Sequence, residues 1–294
     1  MIPLFFEIVG FFYVTLYSIP YFCPQKNTMR KLLFLGMMGA VVFFNSCSSN
    51  DDTMSESTDK KLLLSKLTTT YYDDPSKPET VVETLEYDNQ GQLVRMLSKG
   101  RSSTFEYNNG KPIKINYYND KQALEYYLNF YYSGDKLVSN KAVYTNANYN
   151  RTYTYSYNSN GQLASSTLCQ SENCSNPGIS TYTYNGNNVS VETSTTPGTF
   201  SFTSKNEFTY DSKLSPFTNT NKYLRIMMGG ANILSTNNYT INKDSYKDNN
   251  GNWNPSETTT YTMQYNSAGL PVQATGIGSD GNLSVQYNYE YITQ

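Results

Sequence analysis

The chain has 294 residues, a formal net charge of −2 and no histidine. A near-neutral chain with no basic block offers no electrostatic footprint for nucleic acid, and without histidine it lacks the usual general base and metal ligand. Leu, Ile, Val and Phe supply only 40 of the 247 residues after Cys47, while 26 of the 29 tyrosines lie there, so tyrosine has to provide the apolar material of any core.

Residues 1–22, MIPLFFEIVGFFYVTLYSIPYF, are apolar except for Glu7. A second segment, MRKLLFLGMMGAVVFFNSCSSNDD, begins at Met29. Arg30 and Lys31 open it, and Leu32 to Phe44 is an apolar run of 13 residues. That is the length of a signal-peptide core and short for a membrane span. Asn45-Ser46-Cys47 follows and resembles a lipobox, which implies that Cys47 is lipidated and becomes the mature N-terminus. Phe44 and Asn45 depart from the usual small-residue pattern. Asp51 and Asp52 resemble the export tag of Bacteroidota-type surface lipoproteins. Anchoring by more than one acyl chain is stable. Two tandem export signals make little physical sense, so Met29 is the expected start, with a transmembrane helix over the upstream segment as the alternative. The expected organisation is a leader and signal peptide over 1–46, a lipidated cysteine and flexible polar tether over 47–61, and one β domain over 62–294.

Leu62 to Tyr72 reads as a first strand, broken by Asp73-Asp74-Pro75. The chain then repeats itself. YDNQGQL begins at Tyr87, YNNGKPI at Tyr107, YSGDKL at Tyr132, YNSNGQL at Tyr157, YNGNNV at Tyr184, YDSKL at Tyr210 and YNSAGLPV at Tyr265. The spacings are 20, 25, 25, 27, 26 and 55 residues. Such a period marks a repeated supersecondary unit, and the doubled last gap suggests one diverged copy. In each unit a strand ends at Tyr, and Asp or Asn usually follows and bonds back to the turn. Glycine usually comes one to four residues after the tyrosine, though not in the Tyr210 turn, and supplies a positive φ, and an aliphatic residue opens the return strand of a bulged hairpin. Tyr153, Tyr155 and Tyr157, or Tyr287, Tyr289 and Tyr291, alternate with Thr, Ser, Asn and Glu. One aromatic and one polar face suit an antiparallel sheet solvated on one side. The expected fold is therefore mainly β, an antiparallel up-and-down meander of about 14–18 short strands forming a curved, partly closed sheet. A membrane-spanning barrel is disfavoured, since it needs an apolar outer band.

Cys169 and Cys174 in LCQSENCSNPG are expected to form a local disulfide in an exported protein. Nothing predicts a cofactor or a metal site. Glu79, Glu83 and Glu86 are explained by exposed sheet positions. KDNNGNW, from Lys247, has oxygens at alternate positions like the start of a calcium loop, but its glycine is misplaced, and it reads as an Asn-rich turn.

The YDNQGQL and YNSNGQL units resemble the YD repeats of RHS-type shell proteins. The segment YDSKLSPFTNTNKYLRIMMGGANILSTNN, Tyr210 to Asn238, and the YTMQYNSAGLPVQA hairpin after it are closer to a family of Bacteroidota lipoproteins of unknown function. That resemblance covers residues 60–294. It implies a porin-like β fold and an outer-membrane, surface-exposed location, and no chemistry.

The expected function is that of a non-catalytic surface binding protein, with a glycan or other polymer as ligand, accessory to uptake. The alternative is a structural or protein-interaction module of the outer envelope. Expected partners are the membrane, through Cys47, and a glycan or envelope protein. The candidate ligand-binding residues are those that break the repeat. Trp253, the only tryptophan, is expected on a loop, and Tyr223 and Arg225 lie in the Tyr210–Asn238 segment. The aliphatic run Arg225–Leu234 reads as a plug inside the curved sheet or as a pocket floor.

Overall fold

The computed structural model describes residues 5–8, 12–15, 61–198 and 201–294. The segments expected to be a signal peptide and a tether, and Cys47 between them, fall outside the described residues. Ahead of them β1 (Phe5–Ile8) pairs antiparallel with β2 (Phe12–Thr15).

The sixteen strands between Leu62 and Thr293 form a closed antiparallel barrel. Its first quarter is β3 (Leu62–Tyr71), β4 (Glu79–Tyr87), β5 (Leu93–Ser98) and β6 (Arg101–Asn108). Next come β7 (Lys111–Tyr118), β8 (Leu124–Ser133), β9 (Lys136–Tyr144) and β10 (Arg151–Tyr157). The third quarter is β11 (Leu163–Cys169), β12 (Gly178–Asn185), β13 (Asn188–Thr195) and β14 (Thr203–Tyr210). The last is β15 (Tyr239–Lys247), β16 (Trp253–Tyr265), β17 (Pro271–Ile277) and β18 (Leu283–Thr293). Each strand pairs with its sequence neighbours, and β18 closes the ring on β3 over nine residue pairs. The meander and its strand number agree with the sequence expectation, and the closure goes beyond a partly closed sheet.

The repeat explains the count. Seven hairpins are continuous in sequence, and the eighth is assembled from the first and last strands of the barrel, Tyr291 of β18 facing Leu64 of β3. At each of the eight repeat tyrosines the register slips by one residue. The extra residue always lies just after the one facing the tyrosine: Val94 after Leu93, Val138 after Leu137, Ser65 after Leu64. A bulge of this kind sharpens the twist, which a closed barrel needs at regular intervals. The tyrosine hydroxyls then tie unit to unit. Those of Tyr87, Tyr107, Tyr132, Tyr157 and Tyr291 donate to the carbonyls of Leu64, Leu93, Pro112, Leu137 and Pro271 at 2.6–2.8 Å, and Tyr210 donates to Val189. Each acceptor sits just ahead of the extra residue in the neighbouring unit's return strand. Each such bond contributes about 1 kcal/mol net.

The turns after Tyr87, Tyr157 and Tyr265 use one device. Asp88 Oδ1 accepts the N–H groups of Gln90 and Gln92, Asn158 those of Asn160 and Gln162, and Asn266 those of Ala268 and Leu270. Asp248 binds the N–H groups of Asn250 and Asn252 in the same way, so the KDNNGNW stretch is a turn of this type.

The inner face is the core. Leu64, Leu85, Phe105, Ile115, Leu128, Tyr155, Tyr261 and Tyr287 belong to one buried cluster, and the rings of Tyr117, Tyr126 and Tyr144 stack across β7, β8 and β9 at 4.3 and 4.5 Å. Gly276 lets the wall close here: a Cβ on it would lie 2.7 Å from the Tyr261 ring and 2.8 Å from Val285. The outer face is mainly polar, with scattered exposed apolar residues such as Val82 and Ile113. Ser156 meets Ser165, Thr70 meets Thr80, Gln273 meets Asn288 and Lys66 meets Glu290 across neighbouring strands.

Twenty-eight residues, 211–238, replace the short turn between β14 and β15. They carry α1 (Lys222–Met228) and α2 (Ala231–Leu234) and cover the barrel end that holds the repeat turns. Asn219 donates to the Leu62 carbonyl and Asn221 to that of Gly110, and Thr236 donates to the Asn187 carbonyl. The doubled repeat spacing is therefore an inserted plug, not a diverged copy.

Candidate functional site

The plug is fixed by its own polar side chains. Asn221 caps α1 by accepting the Tyr223 N–H. Arg225 is spent on the end of α2, with Nε donating to the Ile233 carbonyl at 2.6 Å and one terminal nitrogen to those of Leu234 and Ser235. Tyr223 is 4% exposed, packs edge-on against Tyr132, and its hydroxyl donates to Asp135, which also binds Lys222. At the base, Asp211 accepts the Asn238 amide and the Tyr265 hydroxyl. Tyr223 and Arg225 thus point their polar atoms at the protein itself.

Trp253 is not on a loop: it is the first residue of β16 and pairs with Lys247 of β15. The Lys205 and Lys247 ammonium groups lie 5.2 and 5.8 Å from its ring centroid, an arrangement of cation–π type. Lys205 is on the outward-facing register of β14, so Trp253 belongs to the outer wall. It lies at the end of the barrel away from the plug, and the three residues do not converge. At that far end Cys169 and Cys174 are joined as a disulfide with Cα atoms 4.7 Å apart.

Inside the far half, the wall is not uniformly aromatic. One register row runs Tyr155, Ser166, Ser180, Ser194, Ser204, Tyr246 across β10 to β15. The row beside it runs Tyr182, Glu192, Asn206, Asp244. Paired residues share a face, and Tyr155 and Tyr182 are buried core residues, so both rows face inward. The four serines, Glu192 and Asn206 are only half-buried, whereas the inner positions of β7 and β8, such as Ile115, Tyr117 and Leu128, are sealed. The interior is therefore partly solvent-accessible along β11–β14. Alternation alone could not reveal this, because on these strands both faces are polar.

Three interior carboxyls hold their protons unusually well because burial disfavours the charged form. Glu83, expected at an exposed position, is 2% exposed on the inner face of β4 and is pushed up to about 8. Glu192 and Asp244 are pushed up to about 7. Glu192 also accepts the Ala231 N–H at the start of α2, linking the polar wall to the plug. Among the described residues, no three His, Cys, Asp or Glu side chains gather as a metal site.

No family model matches the sequence, and no curated protein matches it. A porin-like protein from Bacteroides uniformis has the same fold, with a TM-score of 0.51 and 17% identity over 78% of this chain and 96% of that one. A porin-like protein from Bacteroides vulgatus aligns over 79% of this chain and 99% of its own, at 11% identity and a TM-score of 0.40.

Proposed function

We propose that the chain is a non-catalytic binding protein of the cell envelope, held at the outer membrane by lipid on Cys47, that takes a glycan or another polymer. The observation that carries this reading is the chemistry of the barrel wall. A membrane barrel needs an apolar band facing lipid, and here the aromatic face is turned inward and the outer wall is laced with hydroxyl, amide and ion pairs. Such a barrel suits water, with a lipid anchor supplying the membrane attachment. The chain enters at Lys61, beside Gln294 and at the plugged end. In this reading the tether holds that end towards the membrane and the far end, with its partly open polar wall, is displayed away from it. Probing a broad array of glycans and soluble polymers with the purified protein should reveal a specific ligand. Silence across the array would overturn the binding reading and favour a protein-interaction module, for which exposed Ile113, Tyr131 and Val138 on three consecutive strands offer a surface.

A further inference from the structure

Deepening the proposed binding role, and resting on it, one region of the inner wall has both parts of a ligand site. Phe202 precedes β14 at the far rim and is 39% exposed. Its ring stacks with that of Tyr246 on β15, centroids 6.2 Å apart and planes 22° apart. Ser204 faces Tyr246, Asn206 faces Asp244 and Phe208 faces Asn242, so the aromatic pair leads down the wall to amide and carboxyl groups. Asn206 Oδ1, Asn242 Oδ1 and Asp244 Oδ2 have no hydrogen-bond partner in the protein, although Asn242 and Asp244 are 2% and 3% exposed. Asp244 Oδ1 is already used by the Asn242 amide at 2.9 Å.

The amide oxygens of Asn206 and Asn242 are acceptors, and Asp244 Oδ2 donates when the carboxyl holds its proton and accepts when it is charged. A buried acceptor left without a donor costs about 1–3 kcal/mol, and buried polar groups rarely go unmatched. What fits here supplies several hydroxyl groups and an apolar ring face, on a wall where burial pushes the Glu192 and Asp244 carboxyls up to about 7, with Glu257 also acting on Asp244. We propose that the inner wall at the far end of β14 and β15 binds a neutral polyhydroxylated ligand, a sugar chain, with Phe202 and Tyr246 as stacking platform, the Asn206 and Asn242 amide oxygens as acceptors and Asp244 as a further hydrogen-bonding group.

The test is titration of the purified protein with soluble neutral hexaoses built from glucose, mannose, galactose or xylose, followed by calorimetry and by saturation-transfer NMR. At least one is expected to bind saturably. Phe202→Ala, at an exposed rim position, and Asn206→Ala should each weaken it roughly tenfold or more, about 1.4 kcal/mol, with melting temperatures near wild type. Trp253→Ala, on the outer wall, should not. If wild type binds a sugar and both inner-wall variants bind it equally well, the site is wrong while the binding reading stands. Loss in Trp253→Ala instead would move the site to the outside. If wild type binds none of the four hexaoses, the sugar assignment falls, and array-wide silence brings down the binding reading with it.

Discussion

Glu83 shows what a single inward position costs. It is surrounded by the inner wall, faces Leu67 and Ser98 across its strand neighbours, and has an oxygen without a partner. Burial raises its pKa from 4.5 to about 8, with Lys99 opposing the shift. The folded barrel thus keeps a proton that the unfolded chain gives up near pH 4.5. Its contribution is fully present below that pH and is lost as pH rises through about 8. Glu192 and Asp244 act in the same direction, whereas Asp135, held low by Lys222 and Tyr223, matters only in acid. Urea midpoints should therefore fall from pH 5 to pH 8.5, and Glu83→Gln should flatten part of that fall. A wild-type midpoint independent of pH across this range would contradict the assignment. The sequence did not reveal Glu83, because an acidic residue between Val81 and Leu85 sits on whichever face the alternation assigns, and the polar reading of Glu is usually right.

At the scale of elements, the hairpins were legible and the plug only partly so. Tyrosine, Asx, glycine and an aliphatic residue in fixed order state a turn, a bulge and a return strand, each with a local cause. The Tyr210–Asn238 segment has no such period. Its density of aliphatic residues says that it is buried, and its position between two repeats says where it joins, but its partners are long-range. That is why Tyr223 and Arg225 read as ligand groups in sequence and prove to be pins of the plug. The same limit hid the inner serine row, whose members are spaced along four strands and meet only through pairing. Asp211 is the pin at the plug's base, accepting from Asn238, Tyr265 and the Lys213 N–H. Asp211→Ala leaves the Tyr265 hydroxyl and the Asn238 amide without their charged acceptor, a loss of about 2–3 kcal/mol. Amide exchange should accelerate across 211–238 while β4 to β9 stay protected. Equal acceleration throughout would mean that plug and barrel open as one unit.

For the whole molecule, the consequence of eight units is that the first and last strands of the barrel have no structural privilege. The eighth hairpin differs from the others only in lacking a covalent turn. Lys61 and Gln294 already exchange both backbone hydrogen bonds, at 2.7 and 3.0 Å, and β18 pairs with β3 as β8 pairs with β9, with the same bulge at the repeat tyrosine. Closure was not visible in the sequence for this reason: a pairing between the first and last strands leaves no local mark, and only the eighth tyrosine, Tyr291, hints that a partner is missing. Joining residue 294 to residue 61 through a short Asn-Gly turn and opening the chain at the exposed Ser159-Asn160 turn should then give a folded barrel, since exposed turn tips tolerate new termini. Far-UV circular dichroism should match the parent, with a melting temperature within several degrees. Removing residues 283–294 instead leaves β3 and β17 with unpaired edges, which invite aggregation. If the permutant fails to fold while the parent folds, the order in which the units form matters, and closure of β18 on β3 is the step that a new chain break disturbs.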